Sequence, residues 1–426
     1  MATRRDVLRW AGALPAAGLV VACTPRPPAP DGPPALPAGT LLQVETAAGL
    51  GVVDVRDARV VLDPVARATT WDGSVLAYAS VVTPGGGGPD QTRITVTGAD
   101  GRERFRASVE GALAPRVVSP AGDLVALTPL AGAGPNPYRP AGRESTTIVV
   151  ASGLGELRRL TVPGCVEPEA FAATGDALFV LDYLPPLAPE QYRVRVLSLT
   201  TGELQPLLNR SKQLIPPGAE EQMRGQGRQA VYSPSQHFLY TLYTHQPDHE
   251  HTRDLLAGAR DDAPHVHAFV HSLSLDQSFA FCIDLPAPFG EGPPDGHAIA
   301  LSRQGARPIV VDTGGGAIAR LDGVGLTVLL TAAFPISDGP TYAAVGPSDE
   351  LAYIGTGNRV HVYRTSTLTS AMSWIVPGPV HGLAVSRTGD RVWVGQPGGV
   401  LALDAATGLE LARVPVADLT LVHHAI

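Results

Sequence analysis

Half of the twelve histidines of this chain fall between positions 245 and 271: His245, His249, His251, His265, His267 and His271. Asp248, Glu250, Asp254, Asp261 and Asp262 stand among them. Neutral imidazole nitrogens with carboxylate oxygens are the donor set taken by zinc, nickel and copper. His249-Glu250-His251 and His265-Val266-His267 put side chains two apart, and on a strand such residues share a face. His265, His267 and His271 would then line one edge together with Phe269. The spacing matches no fixed ligand motif such as His-Glu-x-x-His. The segment therefore reads as a polar surface loop with exposed histidines. Any divalent metal is expected to bind weakly there, since fixing a loop costs about 1–2 kcal/mol per residue.

Other chemistry is scarce. There is no Gly-x-Ser-x-Gly elbow, no phosphate-binding glycine loop with a lysine and no Cys-x-x-Cys. Lys212 is the only lysine. The formal charge is −8, with no basic stripe, which argues against nucleic acid as a partner. Of the three cysteines, Cys165 and Cys282 are expected to lie too far apart for the roughly 6 Å Cα separation of a disulfide. They read as two separate small buried residues. No resident cofactor is expected beyond that weak metal.

The elements that must position these residues are short strands. A turn recurs as Thr70-Trp71-Asp72-Gly73, Ser119-Pro120-Ala121-Gly122-Asp123, Ala173-Thr174-Gly175-Asp176 and Ser386-Arg387-Thr388-Gly389-Asp390, each followed by an apolar strand. Copies recur roughly every 40 to 70 residues, near the period of propeller blades. The last unit reads as four strands, His381 to Val385, Arg391 to Gly395, Val400 to Leu403 and Leu409 to Val416, which is one antiparallel blade. Seven complete units can be counted. Leu41 to Glu45, Gly51 to Val55 and Arg59 to Asp63 look like strands two to four of an eighth, with Ala417 to Ile426 as its missing first strand. The expected fold is therefore all-β, a single propeller over residues 40–426, with eight blades and a split closing blade; seven blades is the alternative. A helix is expected only near Asp254 to Ala259.

The Ser-Pro-x-Gly turn with its aromatic-containing strand resembles the YVTN-type and WD-repeat-like β-propellers of exported bacterial lipoproteins. That resemblance implies a fold and a binding platform, and no particular reaction. In propellers the first strand of each blade lines a central channel. Aligning the units places Glu167, Arg228, His297 and His381 at the starts of those strands, where they would converge at one mouth as a ligand site. The single Leu403-Asp404-Ala405-Ala406-Thr407-Gly408 stretch reads as a β-turn, since the Asp-x-x-Thr-Gly pattern of quinone-dependent propellers is not repeated.

The first residues read as an export signal. Arg4-Arg5 is a twin-arginine pair, an apolar run follows from Ala11 to Ala22, and Val20-Val21-Ala22-Cys23 resembles a lipobox with Cys23 as the acylated residue. That run is too short to span about 30 Å of hydrocarbon. Residues 23–39 are proline-rich and read as an extended tether. Together these features suggest a lipid-anchored, extracytoplasmic platform in the cell envelope. Its partners would be the membrane, through the anchor, and an envelope protein, a glycan or a small molecule. The alternative is a hydrolase- or lactonase-like enzyme using Glu167, His297 and His381, or a metal, at the channel mouth.

Overall fold

The recurring turn is held by its own side chains. Ser119 Oγ donates to Asp123 Oδ1 at 2.6 Å and accepts the N–H of Leu124 at 3.0 Å. The Gly122 N–H bonds back to the Ser119 carbonyl at 2.8 Å. Gly122 has φ +73°, and a Cβ there would lie 2.6 Å from an Arg104 nitrogen, so both backbone and space call for glycine. Ser386 repeats the arrangement, donating to Asp390 at 2.7 Å and accepting the N–H of Arg391 at 3.1 Å. Each turn thus satisfies its own polar groups and delivers the chain into the next strand.

The computed structural model describes residues 40–65, 67–84, 88–130, 139–225, 228–246, 249–258 and 266–426. Cys23 and His265 lie outside the described residues. Eight four-stranded antiparallel sheets form the propeller. Blades one to seven run from Arg67 to Glu110, Leu113 to Pro163, Cys165 to Pro206, Gln229 to Asp284, His297 to Ala333, Thr341 to Ile375 and Leu383 to Pro415. The eighth combines Leu41–Thr46, Gly49–Asp54 and Arg59–Val65 with the C-terminal strand Leu419–Ala425. Gln43 pairs with His424 and Val44 with Val422 across that seam. Leu41 and Ile426 exchange backbone hydrogen bonds of 3.2 and 2.8 Å. The split closing blade is therefore real, and the count is eight. Closure leaves no sheet edge facing the gap between the chain ends.

Apolar side chains of neighbouring blades meet between the sheets. Phe179, Tyr183 and Tyr192 of blade three pack with Leu239, Tyr243, Phe269 and Cys282 of blade four, and the two tyrosine hydroxyls of Tyr192 and Tyr243 bond at 2.8 Å. A six-residue helix, Thr252–Ala257, ends on Gly258 in the left-handed region, two residues earlier at each end than the sequence suggests. The first strands of the blades surround a central channel of about 1240 Å³. Among the described residues no helix is long and apolar enough to cross a membrane.

Candidate metal centre

Blade four carries two excursions from the repeat. The segment 207–228 precedes its first strand, and residues 244–268 connect its second strand, Phe238–Tyr243, to its third, Phe269–Ser274. The two excursions are fastened together. Gln246 mimics a backbone partner, accepting the Arg224 N–H at 3.0 Å and donating to the Arg224 carbonyl at 2.8 Å. Thr252 donates through Oγ1 to the Ala219 carbonyl at 2.9 Å and through its N–H to Glu221 Oε1 at 2.8 Å. Met223 is bridged to Tyr192 of blade three by backbone bonds of 2.8 and 2.9 Å.

This fastening brings Glu221, His249, His251 and Cys282 together, with one donor atom from each lying within 4.8 Å of all the others. His249 Nε2 is 3.1 Å from His251 Nδ1. Glu221 lies 3.9 Å from His249 Nε2 and 3.7 Å from His251 Nδ1. The Cys282 thiol donates to Glu221 Oε2 at 2.9 Å. Zinc bonds of 2.0–2.3 Å in a tetrahedron would place donors about 3.4–3.7 Å apart, so the cluster needs only small adjustments to surround such an ion.

The rings are already oriented for it. His249 Nδ1 faces the Gln222 carbonyl at 3.3 Å. A carbonyl only accepts, so Nδ1 carries the proton and the Nε2 lone pair points into the cluster. His251 Nε2 lies 2.8 Å from Asp284 Oδ1, which leaves Nδ1 to face inward. Asp284 is in turn held by Arg253, and Arg253 also bonds the Cys282 carbonyl at 3.0 Å. Carboxylates that orient ligating imidazoles in this way fix the tautomer and raise the basicity of the ring. Phe269 stacks on His249 with ring centroids 4.2 Å apart, closing one side with an apolar wall.

Electrostatics mark the cluster as a place built for positive charge. Burial opposes ionisation of Glu221, yet His251, His249 and His271 hold its pKa well below the ordinary value. Burial also works against charge on His251, but Asp284 and Glu221 outweigh it and push its pKa up to about 9. Burial, with a smaller contribution from His251, pulls His249 down to about 4. Burial and the Glu221 carboxylate raise the Cys282 thiol well above its usual range. One imidazolium proton on His251 and one thiol proton therefore occupy the space that an ion would take.

The residues singled out from sequence fall into three places. His249 and His251 join the cluster, and both side chains are buried, at 1% and 3% exposure. The expectation of exposed histidines is corrected: the two connections fold over one another and cover them. His271 sits behind the cluster in an entirely buried strand, and burial keeps it neutral with a pKa near 4. His267 precedes that strand and lies apart; its carbonyl accepts the Gln246 N–H at 3.2 Å. Sequence reasoning missed Glu221 and Cys282. Cys282 belongs to the outermost strand of blade four and Glu221 to the preceding excursion, so only the folded chain joins them. The Glu220-Glu221 pair offered one signal. Glu220 is neutralised by Arg193 and Arg195 at 2.8 and 2.9 Å, whereas no arginine pairs with Glu221 among the described residues.

The four residues aligned to the channel mouth are engaged separately. Glu167 pairs with Arg143 at 2.7 Å and Arg116 at 3.4 Å. Arg228 pairs with Glu169. His297 is fully buried against Asp312, at 2.8 Å. His381 joins its backbone N–H to the Gly395 carbonyl at 2.7 Å, and its Nδ1 is buried without a hydrogen-bond partner. None of the four lines the channel. Cys165 and Cys282 are both buried and unbridged.

Fold and cluster together define an eight-bladed propeller with a thiol, two imidazoles and a carboxylate gathered on one blade. Solved structures share the architecture. Apo AztD from Citrobacter koseri is similar over 91% of this chain and 97% of its own, at 12% identity and a TM-score of 0.51. The dihydro-heme d1 dehydrogenase NirN in complex with DHE is similar over 93% of this chain and 77% of its own, at 14% identity and a TM-score of 0.51. At such identities the likeness is one of fold alone. No protein-family model matches the chain, and no curated protein matches it.

Proposed function

We propose that this chain is an exported, lipid-anchored propeller that binds a transition-metal ion of the zinc class at Glu221, His249, His251 and Cys282. The observation that carries the metal reading is the convergence of four donor atoms of three kinds within 4.8 Å. One thiolate, two imidazoles and a carboxylate suit a borderline ion such as Zn²⁺ and are a poor match to the all-oxygen sets of calcium or magnesium. Such a site is a closed binding site more than a catalytic one, because four protein donors fill a tetrahedral ion. The platform role suggested by the fold thereby acquires a specific ligand class. Export and anchoring rest on the twin-arginine pair, the short apolar run and Cys23, followed by the proline-rich tether.

Calorimetric titration of the chelator-treated protein with Zn²⁺ tests the metal reading. The expected result is one site per chain, loss of binding in Cys282→Ser and in His249→Ala, and release of protons from the thiol and His251 on binding. Tight binding that survives both substitutions would place the ion elsewhere. For the anchor, Cys23→Ala should move the protein from the membrane fraction to the soluble one; unchanged retention would remove that part of the proposal.

A further inference from the structure

Each blade ends on an outer strand with a sheet partner on its inner side only, and most of these edges are guarded. Glu103–Glu110 carries Glu103, Arg104, Arg106 and Glu110, and Gly155–Pro163 carries Glu156, Arg158 and Arg159. Glu410–Pro415 and Arg59–Val65 hold two charged residues each. Leu204–Pro206 is only three residues long. Ala280–Asp284 is covered from outside: the Ala280 N–H bonds the Leu208 carbonyl at 3.4 Å, and Arg253 Nη1 bonds the Cys282 carbonyl at 3.0 Å. Charge, shortness and cover are devices that keep a sheet edge from pairing with another chain.

Blades five and six have none of them. Their outer strands, Thr327–Ala333 and Thr369–Ile375, contain no charged residue and no proline. Leu329 and Leu330 are exposed, as are Val324, Ile336 and Ile375 at the ends of the two strands. Among the described residues Thr327–Ala333 pairs only with Ala317–Asp322, and after a bulge at Leu329 residues 330–333 run in regular register. The Phe334 N–H points inward to the Gly316 carbonyl at 2.8 Å. Alternation along the strand therefore turns the N–H and C=O groups of Thr331 and Ala333 outward.

The charge pattern says what such an edge can accept. A partner recognised by charge finds nothing here to bind. A second copy does, because a two-fold contact sets the same patch against itself. A charged edge pairing in that way would bring like charges together across the axis, which is unfavourable; Thr327–Ala333 brings none. Antiparallel pairing centred on Thr331 places Thr331 opposite Thr331 and Leu329 opposite Ala333. The axis is normal to the sheet, so blade six of each copy lies on the same side. The second uncharged edge thus adds to a patch that needs about 800 Å² per partner to be stable.

We propose that the outer edge of blade five is a self-association surface, through which two copies of this chain pair antiparallel along Thr327–Ala333 about a two-fold axis at Thr331. The metal cluster takes no part in it.

The test uses the full-length chain carrying Cys23→Ala, freed of metal with a chelator so that no ion bridges copies. Sedimentation velocity reads the mass at concentrations up to about 100 μM. The parent should pass from one chain to two as concentration rises. Thr331→Lys and Thr331→Glu should each weaken the dimer at least about tenfold. Mixed in equal amounts, the two variants should associate again, since opposite charges then meet across the axis. Thr331→Pro removes an outward N–H and spares the inner ladder, and should also weaken the dimer at least about tenfold. Circular dichroism and thermal melting show that each variant is folded. A parent that stays a single chain at every concentration would overturn the proposal, and so would a dimer untouched by Thr331→Lys and Thr331→Pro. A mixture of the Thr331→Lys and Thr331→Glu chains no more associated than either alone would overturn the pairing of identical edges. Zinc titration of the same samples is a separate reading, so failure here leaves the metal site standing and failure there leaves this one.

Discussion

Two histidine–carboxylate contacts of 2.8 Å, each with a buried imidazole, sit in neighbouring blades, His251 with Asp284 in blade four and His297 with Asp312 in blade five. Distance does not separate them, although Asp284 is 38% exposed and Asp312 fully buried. What the rest of each ring meets does. His297 Nδ1 donates to the Pro293 carbonyl at 3.0 Å, and the Gly290 N–H is shared between His297 Nε2 at 3.0 Å and Asp312 Oδ2 at 3.2 Å. Asp312 also accepts the Gly315 N–H at 2.6 Å. Every polar atom there is spent on the backbone, and the pair works as a clasp for the loop 288–296. His251 turns its second nitrogen toward His249, Glu221 and Cys282. A histidine beside a carboxylate is a site only when lone pairs are left facing something still to come.

The comparison can be broken most decisively by removing ligands. His249→Ala with His251→Ala should abolish zinc binding and the stabilisation it brings, about 2.7 kcal/mol at a free zinc concentration a hundred times the dissociation constant. Thermal melts with and without zinc would read it, and a persisting shift would mean that the ion sits elsewhere. His297→Ala should do the reverse. Removing the ring leaves the buried Pro293 carbonyl without its donor and loosens the hold on the Gly290 N–H, which should cost about 1–3 kcal/mol of stability, with zinc affinity unchanged in the protein that remains folded, as denaturant unfolding and calorimetry would show. Asp284→Asn sharpens the contrast: His251 stays, but its orientation and basicity suffer, and zinc affinity should fall about 10–100-fold.

The last effect concerns pH. Burial first, and then repulsion from His423, pulls the pKa of His424 from 6.5 down to about 4. The unfolded chain therefore binds a proton that the folded chain refuses between those values. The contribution of His424 to stability is present above pH 6.5 and is lost as pH falls toward 4. His424→Asn should lessen that part of the melting-temperature profile of the metal-free protein, to which His249 and His271 also contribute; an unchanged slope would show that His424 has no share in it.

Much of the fold was legible because it is written locally. Ser119, Ser386 and Thr70 each bond within their own turn, so a few consecutive residues announce every blade. The pairing of Gln43 with His424 was legible too, since three orphan strands at one end and a lone strand at the other can complete only each other. The cluster was half legible. His249 and His251 stand out by type and spacing, whereas Glu221 and Cys282 look like an ordinary loop acid and an ordinary core cysteine until Gln246 and Thr252 tie their segments together. The channel-mouth alignment came close to the strand starts, with His297 opening its strand as expected and Arg228 one residue before its own. It could not show that Glu167, Arg228 and His297 turn toward partners of their own, because strand position says little about which neighbour a long side chain will choose.

The closing blade also makes the two ends of the ring answerable to one another. Its innermost strand, Leu419–Ala425, comes from the far end of the propeller's sequence, while the three strands that it completes come from the near end. Without Leu419–Ala425, Leu41–Thr46 has no inner partner and the ring is an open arc with bare edges, which other chains could pair with. That strand is a keystone, and losing it costs the first seven blades their closure as well as the eighth its core.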